Sequence, residues 1–214
     1  MAAPESKSIK DLNGKWTLVR SPRCLPPPSP ASPAPAEPLW RDVKNKDLSD
    51  SADPGLQIQG LGYFLRKGIG MASITITIKQ YEGPPKAPST ADGNFTHIDL
   101  ESNASGLSST SEFRCLDGVC REHTDWIFGK VKGQSGWVSV DELDDDFLKK
   151  GWLPEAQGKN LIKTQAISQD NGWTATQVWG FQEVKGERRY CRNIVIQKGD
   201  QRAEFRFVYN HCPE

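Results

Sequence analysis

The run Arg121-Glu122-His123-Thr124-Asp125-Trp126 places three chemically useful side chains at alternate positions. On an extended strand Arg121, His123 and Asp125 share one face. A His beside a carboxylate can act as a general base, and a neighbouring Arg can stabilise an enolate or a carboxylate. The same pattern also fits a salt-bridged strand exterior, since no nucleophile or metal-binding pattern accompanies it. Glu112 and Arg114 share a face in the same way, either pairing with each other or meeting solvent. On Phe95 to Glu101, His97, Asp99 and Glu101 lie on one face and Ile98 and Leu100 on the other. That polar set is either an outer surface or the lining of a cavity.

Several chemistries fall away. No glycine-rich phosphate loop follows a strand and opens a helix, no Gly-x-Ser-x-Gly elbow occurs, and there is no His-rich metal motif. No cofactor is expected. Cys115 and Cys120 lack a second pair at zinc spacing, and the acidic run Asp141 to Lys150 lacks the central Gly and closing Glu of a calcium loop, so no metal is expected. Five cysteines leave one over after any pairing, and a reducing compartment keeps them as thiols. Asn94 and Asn103 open glycosylation sequons that matter only in a secretory setting. Among seven tryptophans, most fill a core, while Trp179 and Tyr209 are candidates for the flat walls of a ligand site, with Gln177 two residues before Trp179.

The elements that must carry these residues are mostly strands. Ser73 to Lys79 alternates polar and apolar residues with period two. Strand-like runs also cover Lys15 to Val19, Phe95 to Glu101, Thr110 to Leu116, Arg121 to Phe128, Ser135 to Val140, Leu161 to Gln169, Trp173 to Gln182, Arg189 to Gln197 and Ala203 to Tyr209. Turn chemistry such as Asp170-Asn171-Gly172 and Lys185-Gly186 divides several of them, as in a meander. Leu56 to Met71 is apolar at helical spacing and broken by glycines, which predicts two short helices meeting at a turn. Asp141 to Lys150 predicts a short helix with acid at its start and Lys149 and Lys150 at its end.

Prolines at nearly every second or third position from Pro22 to Pro38 cannot supply ladder donors, so the stretch from about 22 to 50 reads as a disordered insertion. It is a neutral loop or a ligand for a proline-recognising partner. A second, acidic and partly helical insertion is expected at about 141–160, within one domain over 1–214. Lys plus Arg equals Asp plus Glu at 27 each, which argues against nucleic acid as a partner. No apolar run approaches the roughly 20 residues needed to span a bilayer, and the first residues lack the apolar core of a secretory signal. A cytosolic monomer is the expectation.

An initial strand, a helix pair and about nine further strands are the plan of an all-β, ten-stranded up-and-down antiparallel barrel. Gly14-Lys15-Trp16-Thr17-Leu18-Val19, the segment Leu61 to Ala72, and the terminal Phe207-Val208-Tyr209 resemble the intracellular fatty-acid-binding proteins of the calycin group, whose secreted relatives are the lipocalins. The resemblance implies a barrel closed at one end and covered at the other by a helix-turn-helix lid, here Leu56 to Met71, with Phe64 among the ligand contacts. It departs at the ligand hook. Those proteins commonly carry an Arg two residues before a Tyr on the last strand, where this chain has Phe207 before Tyr209, with Arg206 on the opposite face. Arg192, on the neighbouring strand, either replaces that hook or faces solvent. The chain is also similar to fungal lipocalin-like proteins of unassigned activity, which implies a role in secondary metabolism.

Two functions follow. The first is a non-enzymatic carrier holding a small hydrophobic ligand in the barrel, driven by apolar burial at about 25 cal/mol per Å². The alternative is a cofactor-free cyclase, isomerase or lyase that folds a polyketide or terpenoid intermediate in the same cavity, with His123 and Asp125 transferring protons.

Overall fold

The computed structural model of the chain describes residues 1–19, 48–105 and 109–213, and of Asp125 the backbone alone. The proline-rich stretch 22–38, with Cys24, lies outside the described residues. Ten strands form one sheet: β1 (Gly14–Leu18), β2 (Ile74–Gly83), β3 (Phe95–Ala104), β4 (Thr110–Cys115), β5 (Arg121–Asp125), β6 (Gly129–Val138), β7 (Leu161–Ser168), β8 (Thr174–Val184), β9 (Glu187–Lys198) and β10 (Gln201–Cys212). Their order is β4-β3-β2-β1-β10-β9-β8-β7-β6-β5, and every ladder is antiparallel. The expected up-and-down plan of the fatty-acid-binding calycins is therefore present. Tight turns make the meander possible. Between β8 and β9 the two-residue loop Lys185-Gly186 has φ of 52° and 76°, the left-handed pair that matches the twist of the flanking strands.

No ladder joins β4 to β5 among the described residues. The sheet curls until this seam narrows, and short contacts bridge it: Asp117 pairs with Gly136, Gly118 N donates to Ser135 O at 2.8 Å, and Arg114 Nη1 reaches Ser135 Oγ at 3.4 Å.

Register decides which side chains point inward. Trp16 lies opposite Ile76, Leu18 opposite Tyr209, Tyr209 opposite Tyr190, Tyr190 opposite Phe181 and Trp179 opposite Ile162. These residues form one apolar cluster together with Ala3, Ile9 and Leu12 from the N-terminal segment. The indole of Trp16 packs 5.2 Å from the Tyr190 ring and donates from Nε1 to Leu12 O at 2.9 Å, so this end of the barrel is plugged by aromatic side chains.

The other end carries two helices, α1 (Asp53–Ile58) and α2 (Tyr63–Met71), separated by a turn as the glycines predict. Helix α1 docks on β9 and β10, and a Cβ at Gly55 would stand 2.6 Å from the Phe205 ring, so only glycine lets the helix come so close. Helix α2 packs against α1 and buries none of its residues. A short helix, α3 (Asp146–Lys149), and two 3-10 turns occupy the acidic segment. Asp145 caps α3 by accepting from Phe147 N and Leu148 N.

Several boundaries differ from expectation, three of them with a clear physical reason. β6 starts at Gly129 instead of Ser135, because Gly129 to Gln134 lacks apolar alternation and is held extended by pairing to both β5 and β7. β5 stops at Asp125 because Trp126 to Phe128 form its turn to β6. The expected insertion overshoots at its far end: Leu48 and Ser49 are buried against β10, where Ser49 Oγ donates to Val208 O and accepts from Val208 N.

Candidate active site in the barrel lumen

Above the aromatic plug several inward-facing residues, among them Glu112, His123, Arg192 and Phe207, keep contact with solvent. Glu112 on β4 is opposite Leu100 and Arg114 is opposite Ile98, which turns both inward. The Glu112 side chain faces the barrel interior and keeps 45% of its exposure. It pairs with the Arg114 guanidinium, and that neighbour holds its carboxyl below the ordinary range.

Arg192 on β9 lies opposite Trp179 on one side and Phe207 on the other. Its guanidinium carbon sits 4.0 Å from the Trp179 ring centre and 5.1 Å from that of Tyr209. The Arg114 guanidinium lies 5.5 Å from the same indole, so two cations share one aromatic anchor. Arg192 Nε donates to Tyr190 Oη at 2.9 Å, and burial holds that phenol protonated well above its usual range. Two donors here, Arg192 Nη2 and Arg114 Nε, are shielded from water and have no hydrogen-bond partner among the described residues. Gln177 completes this wall, its Oε1 accepting from Trp179 Nε1 at 3.2 Å.

His123 lies opposite Val131 and therefore faces the same interior, with its imidazole 3.6 Å from where a Cβ of Gly133 would stand. It is exposed, and its charge would reach Glu112. The structure thus brings together Glu112, Arg114, His123, Gln177, Trp179, Arg192 and Tyr209. Trp179 and Tyr209 are not bare walls: both are buried, with guanidinium groups laid against their rings.

Three other sequence candidates go elsewhere. All five donors of Arg121 are used in a clasp, to Asp117 Oδ1 and Oδ2 and to the carbonyls of Lys86, Ala87 and Val119, so it has none left for a substrate. This clasp lowers the Asp117 pKa to about 2. His97 is on the opposite face of β3 from Ile98, 1% exposed, stacked on Tyr81 at 5.1 Å and bonded through Nε2 to Pro84 O. Phe64 is 89% exposed on α2, with its ring against Tyr63 and outside the barrel. For Asp125 the backbone pairs with Gly129 at the end of β5.

Two contributors escaped sequence reading. Tyr190 was detectable as the residue two before Arg192 on the same strand face, whereas Ser135 reaches Arg114 only because the seam closes. Cys115, Cys120, Cys191 and Cys212 are free thiols.

No protein-family model matches the sequence. Among solved structures, human cRBP IV superposes with a TM-score of 0.45 at 13% identity, over 94% of this chain and 98% of that one. Two curated proteins are similar along most of their length. A probable pericyclase, scpY, of Mollisia scopiformis is 28% identical over 213 residues, which cover 98% of this chain and 94% of that protein. The pericyclase pydY of an Acremonium species is 32% identical over 170 residues, 78% of this chain and 87% of that protein. A match of that identity and reach carries more than fold alone, and this chain belongs to the pericyclase family that the Acremonium protein represents.

Proposed function

We propose that the chain is a cofactor-free pericyclase that closes a ring in a secondary-metabolite intermediate held in the barrel lumen. The observation that carries this reading is the pair of inward-facing guanidiniums laid on the Trp179 indole above the apolar plug. The names of its two relatives support the reaction class.

A pericyclic ring closure converts π bonds to σ bonds around one ring of atoms, with no net transfer of a proton or an electron. The demands on the protein are therefore to hold the chain folded with its reacting ends together and to polarise a conjugated carbonyl. Confinement of that kind can supply several kcal/mol of a barrier, about 7–11 in the best intramolecular cases. Arg192 and Arg114 donate to the carbonyl oxygen, where electron density grows as the π system is activated. Tyr190 holds Arg192 through its Nε, and Glu112 holds Arg114, so both donors are in place before the substrate arrives. His123 lines the same interior from the β5 side of the seam.

The test begins with a host strain lacking this chain. The compound that accumulates is incubated with purified protein and followed by chromatography and mass spectrometry. Conversion to a cyclised isomer of unchanged mass supports the reading, and Arg192→Met should slow it about a hundredfold. Retention of the compound unchanged, at any protein concentration, would identify a carrier instead.

A further inference from the structure

Among the described side chains, the charges that meet in the lumen do not balance. Among the described side chains that meet on the Trp179 wall, Arg114 is neutralised by a direct pair with Glu112. Arg192 is not hydrogen-bonded to Glu112 and acts on it only through its longer-range charge. Among the described residues its hydrogen bond goes to a neutral phenol, and Nη2 finds no partner. A guanidinium left unpaired away from water is costly, and it persists where a ligand supplies the missing acceptor. The shape of the group adds a second constraint. Arg192 is held by the Trp179, Tyr190 and Tyr209 rings, at 4.0, 5.4 and 5.1 Å, so its planar fork has a fixed aspect. A fixed fork selects an acceptor with two coplanar oxygens sharing a negative charge.

Resting on the lumen as the reaction site, we infer that the substrate carries a planar, delocalised oxyanion that docks on Arg192. Either a carboxylate or the enolate of a 1,3-dicarbonyl has this chemistry. A neutral hydrocarbon or alcohol does not. The apolar remainder of the substrate would lie toward Phe207, Ile74 and the underside of α1, where the inner surface is apolar and partly open. The oxyanion would thereby fix which end of the molecule enters first.

The experiment measures binding alone, by calorimetry and tryptophan fluorescence on the full chain, and so is independent of turnover. Three probes of similar chain length are compared: dodecanoate, a 2-decanoyl-1,3-cyclohexanedione enolate and dodecan-1-ol. At least one anion should bind about tenfold or more tightly than the alcohol. Whichever anion is tighter identifies the source of the oxyanion. In Arg192→Met the preference should fall to within about twofold while the alcohol is bound as before, and Arg192→Lys should recover only part of it. Arg192→Gln, which keeps a hydrogen-bond donor on that face but no charge, should lose the preference likewise, and it serves as the second test if Arg192→Met fails to fold. Equal binding of acid and alcohol by the unaltered protein, or an anion preference that survives Arg192→Met, overturns the inference. Anion selectivity without any conversion in the turnover assay would sink the pericyclase reading and leave this one standing.

Discussion

At the residue scale, function turns on which guanidinium is committed. Arg121, Arg114 and Arg192 are all charged residues on strands or at their ends, yet their partners differ. Arg121 is fully engaged by Asp117 and three carbonyls, Arg114 shares its charge with Glu112, and Arg192 keeps donors in reserve. The Asp117 clasp also gives a pH signature. Its carboxyl sits at about 2 in the folded chain against 3.8 ordinarily, so the contribution to stability is complete above about pH 4 and is lost as pH falls through 2. The shift corresponds to roughly 2 kcal/mol. Asp117→Asn should therefore melt well below the unaltered protein at pH 6, with the gap shrinking toward pH 2. A constant gap across that range would show that the ion pair is not its origin. Thiol reactivity follows the same logic: burial pushes Cys191 up to about 12 and also raises Cys115, whereas Cys120 is exposed. A thiol reagent at pH 8 should modify Cys120 in the native protein and reach Cys115 and Cys191 only after denaturation, as peptide mapping would read.

At the element scale, the helix pair is asymmetric. Helix α1 is locked to the barrel through Gly55 against Phe205 and Ile196, while α2 touches α1 and leaves Tyr63 and Phe64 in solvent. A methyl group at Gly55 would have to displace a buried ring. Gly55→Ala should cost about 1–3 kcal/mol in chemical denaturation and raise the hydrogen exchange of both helices. Unchanged exchange in α1 would show that its seat on β9 and β10 is not set by that contact. The strands tell a related story about pattern. β2 was legible from Ile74, Ile76 and Ile78 because one face is buried and one is wet. The first half of β6, Gly129 to Gln134, has no such pattern, since its extended form comes from neighbours on both sides.

At the scale of the whole molecule, closure is what makes a site. Val19 and Leu48 flank residues 20–47 and lie side by side on β10, with Ser49 N donating to Val19 O at 3.1 Å. The barrel is thus continuous without the intervening stretch. Replacing residues 22–45 with a short Gly-Ser linker should leave the melting temperature within a few degrees, because loop closure depends only weakly on length, about 0.6 kcal/mol per doubling. A fall of about 10 °C or more would mean that the stretch packs against the barrel.

The number of strands, the helix pair and the shared face of Glu112 and Arg114 could be read from the sequence, because alternation and turn residues are local signals. Which faces formed the interior could not. His97 and His123 both sit on strands amid charged residues, and only the register, Ile98 against Arg114 and Val131 against His123, sends one outward and the other in. A carrier and an enzyme share the same apolar pattern, and the sequence placed the carrier first; the pericyclase relatives favour the enzyme. That no described side chain forms an ion pair with Arg192 was decided by the tertiary structure alone, because a residue's counter-ion is set by what the curled sheet brings across its interior, not by what lies beside it in the chain.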